Sequence, residues 1–430
     1  MKYLKLKTET TIEDHGISKI VFLMICMIMF SIYLPFFASR LFGLTSLLIA
    51  VILLIFVSSI DLNSVYKMLP SACLCLICLV LLLVSGRWKE RGFSAPIFHA
   101  YKFIYLFLAH TMYIVLRFLT HGQKRTSIMA ATGAAILTSA YSSFYSLTID
   151  RYAMRYGNYV GVADFNQVYG IVFFVIILFS ALLFYQKNAR VNVYLFGCFV
   201  IFFGMICISL FTTALLLMLL GIIICLFANI YEKSSPFIRV ILFLLMLLLI
   251  GMLFMFSNTI SDWIFKSTED VDDVLRVRLR SVSDRIFDTE HNLEGYNADR
   301  RGELADYSMQ SFKANPIFGV GYTGFGYGII GNHQEWQDML GVFGLFGSAV
   351  VIGVILIMTN QIFKGIRKKV DKISFTVSLL LFVLLGFLNP CFNPQVLIAV
   401  FVIAPNISAL SQSEEKTDEF YKHKYIRATA

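Results

Sequence analysis

Charged side chains are scarce in this sequence: Asp, Glu, Lys and Arg make up 15% of its 430 residues, against about a quarter in soluble globular chains. A polypeptide so poor in charge cannot cover a soluble surface. The sequence also lacks any pair-and-pair cysteine spacing. Of its eight cysteines, Cys73, Cys75, Cys78, Cys198, Cys207 and Cys225 lie inside apolar blocks. That is the pattern of small packing residues, and it yields neither a disulfide framework nor a zinc site. No Gly-Lys-Ser/Thr follows the glycine-rich stretch, so a P-loop is excluded. No internal repeat or low-complexity tract is visible. Phe37-Ala38-Ser39 is a poor signal-peptidase site with another apolar block directly behind it, so the first block reads as an uncleaved span.

What the sequence has is apolar surface. It is 58% hydrophobic, contains 41 phenylalanines and has a mean hydropathy of +0.75. The apolar residues come in blocks of about 18 to 24, the length of a helix crossing about 30 Å of hydrocarbon. The blocks predict an all-α polytopic membrane protein of about 12 transmembrane helices. They lie near 17–39, 42–60, 68–86, 97–119, 127–149, 166–186, 193–209, 212–230, 238–257, 337–359, 373–389 and 394–411. Helices 1–9 then occupy residues 1–257, a loop 258–336, helices 10–12 residues 337–411, and a tail 412–430. With the N-terminus inside, nineteen Lys and Arg fall in the inner segments and six in the short outer loops. This bias predicts a multi-pass protein with both termini cytoplasmic. The basic outer loop Arg87–Arg91 runs against it.

The segment 258–336 differs in kind. It holds 13 Asp or Glu and 8 Lys or Arg, net −5, leaving +14 for the rest of a +9 chain. A polar stretch of this length is too long for a connector, and the topology puts it outside. It is expected to be partly helical, because Leu304, Tyr307, Ser308, Ser311 and Phe312 share a helical face that Asn315-Pro316 ends.

The candidate chemistry gathers in the last third of that loop. Gly319, Gly321, Gly324, Gly326, Gly328 and Gly331 fall within thirteen residues and allow sharp turns or close approach to a ligand. His333 follows them at the membrane boundary, with Arg300 and Arg301 upstream. A neutral imidazole there suits proton removal from a hydroxyl, and arginines suit a diphosphate. A structural histidine is the plain alternative. Arg276, Arg278 and Arg280 are as well read as a solvated face. Before the sixth span, Arg151, Arg155, Asp164 and Asn166 border the outer surface, where Arg and Tyr also serve as interfacial anchors.

Taken in order, these elements resemble the O-antigen ligase and O-antigen polymerase superfamily of bacterial membrane glycosyltransferases. Arg301 stands fifteen residues before Pro316, which opens Pro-Ile-Phe-Gly319-Val-Gly321 and is similar to the family's P-x-x-G-x-G segment. His333-Gln334, with Gly344 and Gly347 eleven and fourteen residues after His333, resembles its His-Asn motif and Gly-x-x-Gly span. Arg155, Gly157 and Asn166 match its pattern before the sixth span. The chain departs from the family at Ala305, where an aromatic is usual, at Gln334, and at Phe211-Thr212-Thr213, where Ser-Arg is common.

The resemblance implies a GT-C-type membrane fold and metal-independent glycosyl transfer, without a cofactor, at the outer face of the cytoplasmic membrane. The donor would be an oligosaccharide on undecaprenyl diphosphate. His333 would be the catalytic base. Arg301, Arg300, Arg155 and Arg151 would bind the diphosphate, while Pro316, Gly319, Gly321 and Asn166 would set the loop geometry. Partners would be the lipid-linked substrate, membrane lipid, a chain-length regulator and a flippase, with no nucleic acid. Polymerisation into a surface polysaccharide (O-antigen, capsule or exopolysaccharide) is the preferred reading and ligation to another acceptor the alternative. A transporter of lipid-linked sugars or an assembly scaffold are readings of another class.

Overall fold

Lipid offers the backbone no hydrogen-bond partners, so a segment that enters it must bond to itself as a helix or close into a barrel. The computed structural model describes residues 16–35, 40–84, 95–156, 159–184, 189–241, 300–320, 330, 331 and 333–410, with residues 244 and 266 besides. Among the described residues the secondary structure is helical, with no strand. The helices are α1 (Gly16–Ile32), α2 (Arg40–Ile60), α3 (Leu62–Val84), α4 (Ala95–Leu116), α5 (His121–Thr148), the single turn α6 (Ala153–Tyr156), α7 (Phe165–Phe184), α8 (Ala189–Ile208), α9 (Thr212–Lys233), α10 (Arg300–Ala314), α11 (Glu335–Gly365), α12 (Lys369–Leu388) and α13 (Pro394–Ile398). The last continues through Ala399–Ile403 and Ala404–Leu410.

Among the described residues six helical stretches are long and apolar enough to cross a membrane: Leu62–Val80, Phe165–Phe184, Val191–Ile208, Thr212–Lys233, Glu335–Gly365 and Lys369–Leu388. Lys19–Ile32, Thr45–Ser59, Lys102–Leu116 and Pro394–Leu410 are shorter apolar helices. This is a helical membrane protein. Helix α5 is less apolar because it is built from Ala, Ser and Thr. Its buried face carries Ser127, Ala131, Thr132, Ala134, Ala135, Thr138 and Ser139, small residues that let helices approach closely in a bilayer. The expected span at 238–257 and the loop residues 258–299, with Arg276, Arg278 and Arg280, lie outside the described residues apart from a few positions.

Helix α7 is the axis of the bundle. Of its spanning window 78% is buried, and α8, α9, α12 and the C-terminal segment pack around it. An all-apolar sequence is what a helix enclosed on every side requires. The C-terminal segment is buried throughout and changes pitch along its length. The Ala404 N–H reaches back five residues to Ala399 O. Pro405 supplies the reason, since it has no N–H to donate and its ring crowds the preceding turn.

Helix ends sort into two groups. At one end of the bundle Tyr33 donates through its hydroxyl to Gln395 O at 2.8 Å, and Thr138 Oγ1 donates to Tyr33 O at 2.7 Å. Asn389 Nδ2 donates to the Tyr169 hydroxyl at 2.9 Å. At the other end Asp371 accepts from the Ser408 N–H and hydroxyl, both at 2.7 Å, and Gln361 donates to Lys67 O at 3.2 Å. There Glu232 pairs with Lys369.

Helix α11 was expected as one span over 337–359; the structure instead breaks it at Gly344, with φ 64° and ψ −169°. The stretch 345–365 is about 31 Å long at 1.5 Å per residue, which spans the hydrocarbon by itself. The break frees backbone groups, and the chain after α10 satisfies them. Leu345 and Phe346 N–H donate to Pro316 O at 2.8 Å and Ile317 O at 3.0 Å, and Val320 N–H donates to Gly341 O at 3.0 Å. Gly319 sits opposite Gly344 with φ 70°. Its added Cβ would lie 2.3 Å from Val342 O, and one on Gly344 would lie 2.4 Å from Ile317 O.

Replacement of Gly344 or Gly319 by Ala is therefore expected to lower the thermal unfolding midpoint of the detergent-solubilised protein. The left-handed backbone alone costs about 1–2 kcal/mol once a Cβ is present, and the clash adds to it. Gly133→Ala in α5 meets nothing within 4 Å and should leave the midpoint unchanged or raise it. Equal behaviour of the three variants would refute the paired-glycine junction.

Candidate active site

Helix α10 forms where the loop was expected to be helical, and it ends at Asn315, whose N–H bonds Ser311 O and Phe312 O. Its buried face is centred on Ser308 and Ser311 rather than on Tyr307, which is 37% exposed. The reason is close packing on the segment before α11 and on the first half of α11 itself. A Cβ on Gly331 would lie 2.0 Å from Leu304 O, and one on Gly341 2.7 Å from Ser308 O. Arg300 and Arg301 begin α10; their side chains lie outside the described residues, as does Gly321.

His333 is exposed and lies two residues before α11. The backbone on either side of it is tied down. The Gly331 N–H donates to Ser308 Oγ at 2.9 Å, and Ser308 donates in turn to Asp338 Oδ1 at 2.5 Å. The Gln334 N–H donates to Asp338 Oδ2 at 3.2 Å. The histidine segment and the arginine-bearing helix are thus joined through two buried side chains.

Beside this joint sits a buried ion pair. Lys102 on α4 donates to Glu335 Oε1 at 2.6 Å, with side chains 7% and 2% exposed. Glu335 Oε2 accepts from the Cys391 N–H at 3.0 Å and the Phe392 N–H at 3.4 Å, in the turn between α12 and α13. Phe103 and Trp336, next in sequence to the pair, pack with Phe343 and Phe392, ring centroids 5.5 to 6.3 Å apart in successive pairs. A buried charge is tolerable only when paired and hydrogen-bonded, and both conditions hold here. Sequence reasoning missed this group. Its signal was Lys102 within an apolar block, which by default marks a residue with a specific partner.

The loop between α5 and α7 is also ordered by side chains. Asp150 accepts from the Tyr152 N–H at 2.9 Å and the Tyr159 hydroxyl at 2.6 Å, and the Tyr159 bond holds its carboxyl below the ordinary value. Arg151 is exposed. Arg155, on α6, is partly buried, and its Nη1 is closed off without a hydrogen-bond partner among the described residues. Asp164 caps α7. The Asp164 N–H donates to Gln167 Oε1 at 2.7 Å and Asp164 Oδ1 accepts from the Gln167 N–H at 3.0 Å, a reciprocal capping arrangement. Burial pushes the Asp164 carboxyl up, against bonds from Gln167 and Asn166. Asn166 stands in the first turn of α7, beside the Asp164 carboxyl. Gly157 lies outside the described residues.

Among the described residues no cluster of three or more His, Cys, Asp or Glu side chains is arranged to hold a metal ion. The arrangement offers an exposed imidazole at one end of the bundle, on a backbone segment bonded to the helix that Arg300 and Arg301 begin, beside a buried ion pair. An exposed imidazole can take a proton from a hydroxyl.

Residues 197–346 match the family described as O-antigen ligase, a stretch that runs from within α8 through α10 and His333 into α11. The match supports the resemblance to the O-antigen ligase and polymerase superfamily. No curated protein matches the chain.

Two outcomes follow for the site's framework. Lys102→Ala or Glu335→Ala leaves an unpaired buried charge, so each should cost about 3–5 kcal/mol. The double variant should cost less than the sum, and strict additivity of the unfolding midpoints would refute the pairing. For Asp164, a carboxyl raised in the fold favours the folded state when protonated, and that contribution is lost as pH rises through the folded value. Asp164→Asn keeps the oxygen that accepts from Gln167. It should hold or raise the midpoint near neutral pH, the difference shrinking toward about pH 4; a lowered neutral midpoint would contradict this.

Proposed function

We propose that the protein polymerises undecaprenyl-diphosphate-linked oligosaccharide units into a surface polysaccharide at the outer face of the cytoplasmic membrane. In this reading it has twelve spans, a GT-C-type fold and both termini in the cytoplasm. The basic residues support that orientation: Lys67, Lys124, Lys233, Arg239, Lys364, Arg367, Lys368, Lys369 and Lys372 fall at the end opposite His333, the side expected to face inward. The observation that carries the proposal is the joint at Ser308, which makes the histidine segment and the arginine helix one unit at the other end.

His333 takes the proton of an acceptor sugar hydroxyl. The oxygen attacks the donor's anomeric carbon, and the bond from that carbon to the phosphate oxygen breaks. The electron pair leaves with undecaprenyl diphosphate, whose charge Arg301, Arg300, Arg155 and Arg151 balance bidentately. No metal or cofactor is needed, since the donor arrives activated. The superfamily's lipid-linked glycan substrates support this donor class.

Ligation to another acceptor uses the same donor and chemistry. Polymerisation is preferred because Ala305, Gln334 and Phe211-Thr212-Thr213 depart from the family pattern, as suits an enzyme tuned to one repeat unit. A chain-length regulator and a flippase are the expected partners. A transporter would need ionisable groups along a mid-membrane path; Lys102 and Glu335 are instead closed onto each other near one end.

His333→Ala is expected to reduce polymer by about 100-fold or more, the usual worth of general base catalysis, with the protein still in the membrane. Full-length polymer in that strain would refute the assignment. Deletion of the gene should leave single-unit products. Polymer stranded on the lipid carrier would favour ligation, and units trapped inside the cell a flippase.

A further inference from the structure

The joint between α10 and the histidine segment has a feature that packing alone does not require. The two amides flanking His333 are held by a single buried pair, Ser308 and Asp338, which are 0% and 1% exposed. Gly331 N–H bonds Ser308 Oγ at 2.9 Å, Gln334 N–H bonds Asp338 Oδ2 at 3.2 Å, and Ser308 hydroxyl bonds Asp338 Oδ1 at 2.5 Å. Donors and acceptors match one to one along this chain. Ser308 also lies on the same helix as Arg301, seven residues on, about 10 Å along the axis. This hydroxyl therefore ties the imidazole's backbone to the helix that bears the arginine pair.

From these contacts we infer that Ser308 and Asp338 are positioning residues for the transfer reaction, acting through His333. The inference rests on the functional reading given above. Asp338 is buried and cannot reach an acceptor, so it is not itself the base. Its carboxylate belongs to the first turn of α11 and binds the N–H of the residue that caps that helix, while Ser308 carries the constraint across to α10. A displacement of about 1 Å at a reacting group is enough to cost about 100-fold in rate, so the pair is needed at full geometry rather than merely present.

The test uses the full-length protein, as the chromosomal copy in cells and as purified protein in lipid nanodiscs. Ser308→Ala and Asp338→Ala should speed amide exchange at 331–334 by about tenfold or more. Polymer made from the cell's own lipid-linked pool should fall by at least about tenfold, at unchanged protein level. Asp338→Asn keeps an acceptor for the Gln334 N–H and can donate to Ser308 Oγ, so it should restore both readouts. Unchanged exchange at 331–334 in the Ala variants overturns the inference, and so does faster exchange with full polymer. His333→Ala run alongside separates the two ideas. Full polymer there refutes the reading of His333, whereas loss there with full polymer in Ser308→Ala refutes only the positioning role.

Discussion

The junction at Gly344 depends on a single constraint: a broken helix in a membrane protein must find new partners for its freed backbone groups inside the protein. The Pro316–Val320 segment supplies them. Its carbonyls take the N–H groups that begin the second half of α11, its Val320 N–H covers Gly341 O, and Ser348 Oγ reaches back across the break to Met339 O at 3.2 Å. The break in turn lets the 335–343 half-helix leave the line of the span. That freedom brings Glu335 to Lys102 and Asp338 to Ser308. The glycine pair, the ion pair and the histidine segment are consequences of one interrupted helix.

Rigidity and exposure are divided between neighbouring residues. His333 is open to its surroundings while Gln334, Glu335 and Asp338 are buried. The buried neighbours fix the backbone beside the exposed side chain. The same division recurs in the loop between α5 and α7, where Asp164 and Gln167 lock the entry to α7 and Arg151 is exposed.

The sequence made the helical membrane architecture legible, because block length and hydropathy follow directly from hydrocarbon thickness. Helix α10 and its end at Asn315 were legible from apolar spacing and proline. The break at Gly344 was not, since hydropathy runs through it without change and one glycine in an apolar span has many bland explanations. The resemblance pointed to Gly319 and Gly344, but their shared left-handed backbone appears only when the two segments are side by side. Lys102 was overlooked because its partner lies 233 residues away. The Asp164–Gln167 cap has the D-x-x-Q spacing of a helix start, a pattern that polar residues bordering a span do not by themselves single out. For Arg155 and Asn166, sequence gave the loop but not which one would be closed off and which would join the cap.

The 233-residue separation between Lys102 and Glu335 also bears on how the protein is made. At about 5–20 residues per second, Glu335 is synthesised some 10–50 s after Lys102, which lies on α4. During that interval the nascent bundle carries an ammonium without its carboxylate, close enough to the helix end for the flexible lysine stem to keep it at the headgroups. Closure of the pair then draws α4, the start of α11 and the 389–393 turn together in one event. Biogenesis is thereby given an order: the first spans wait, unlatched, until the last loop and the helix after it arrive.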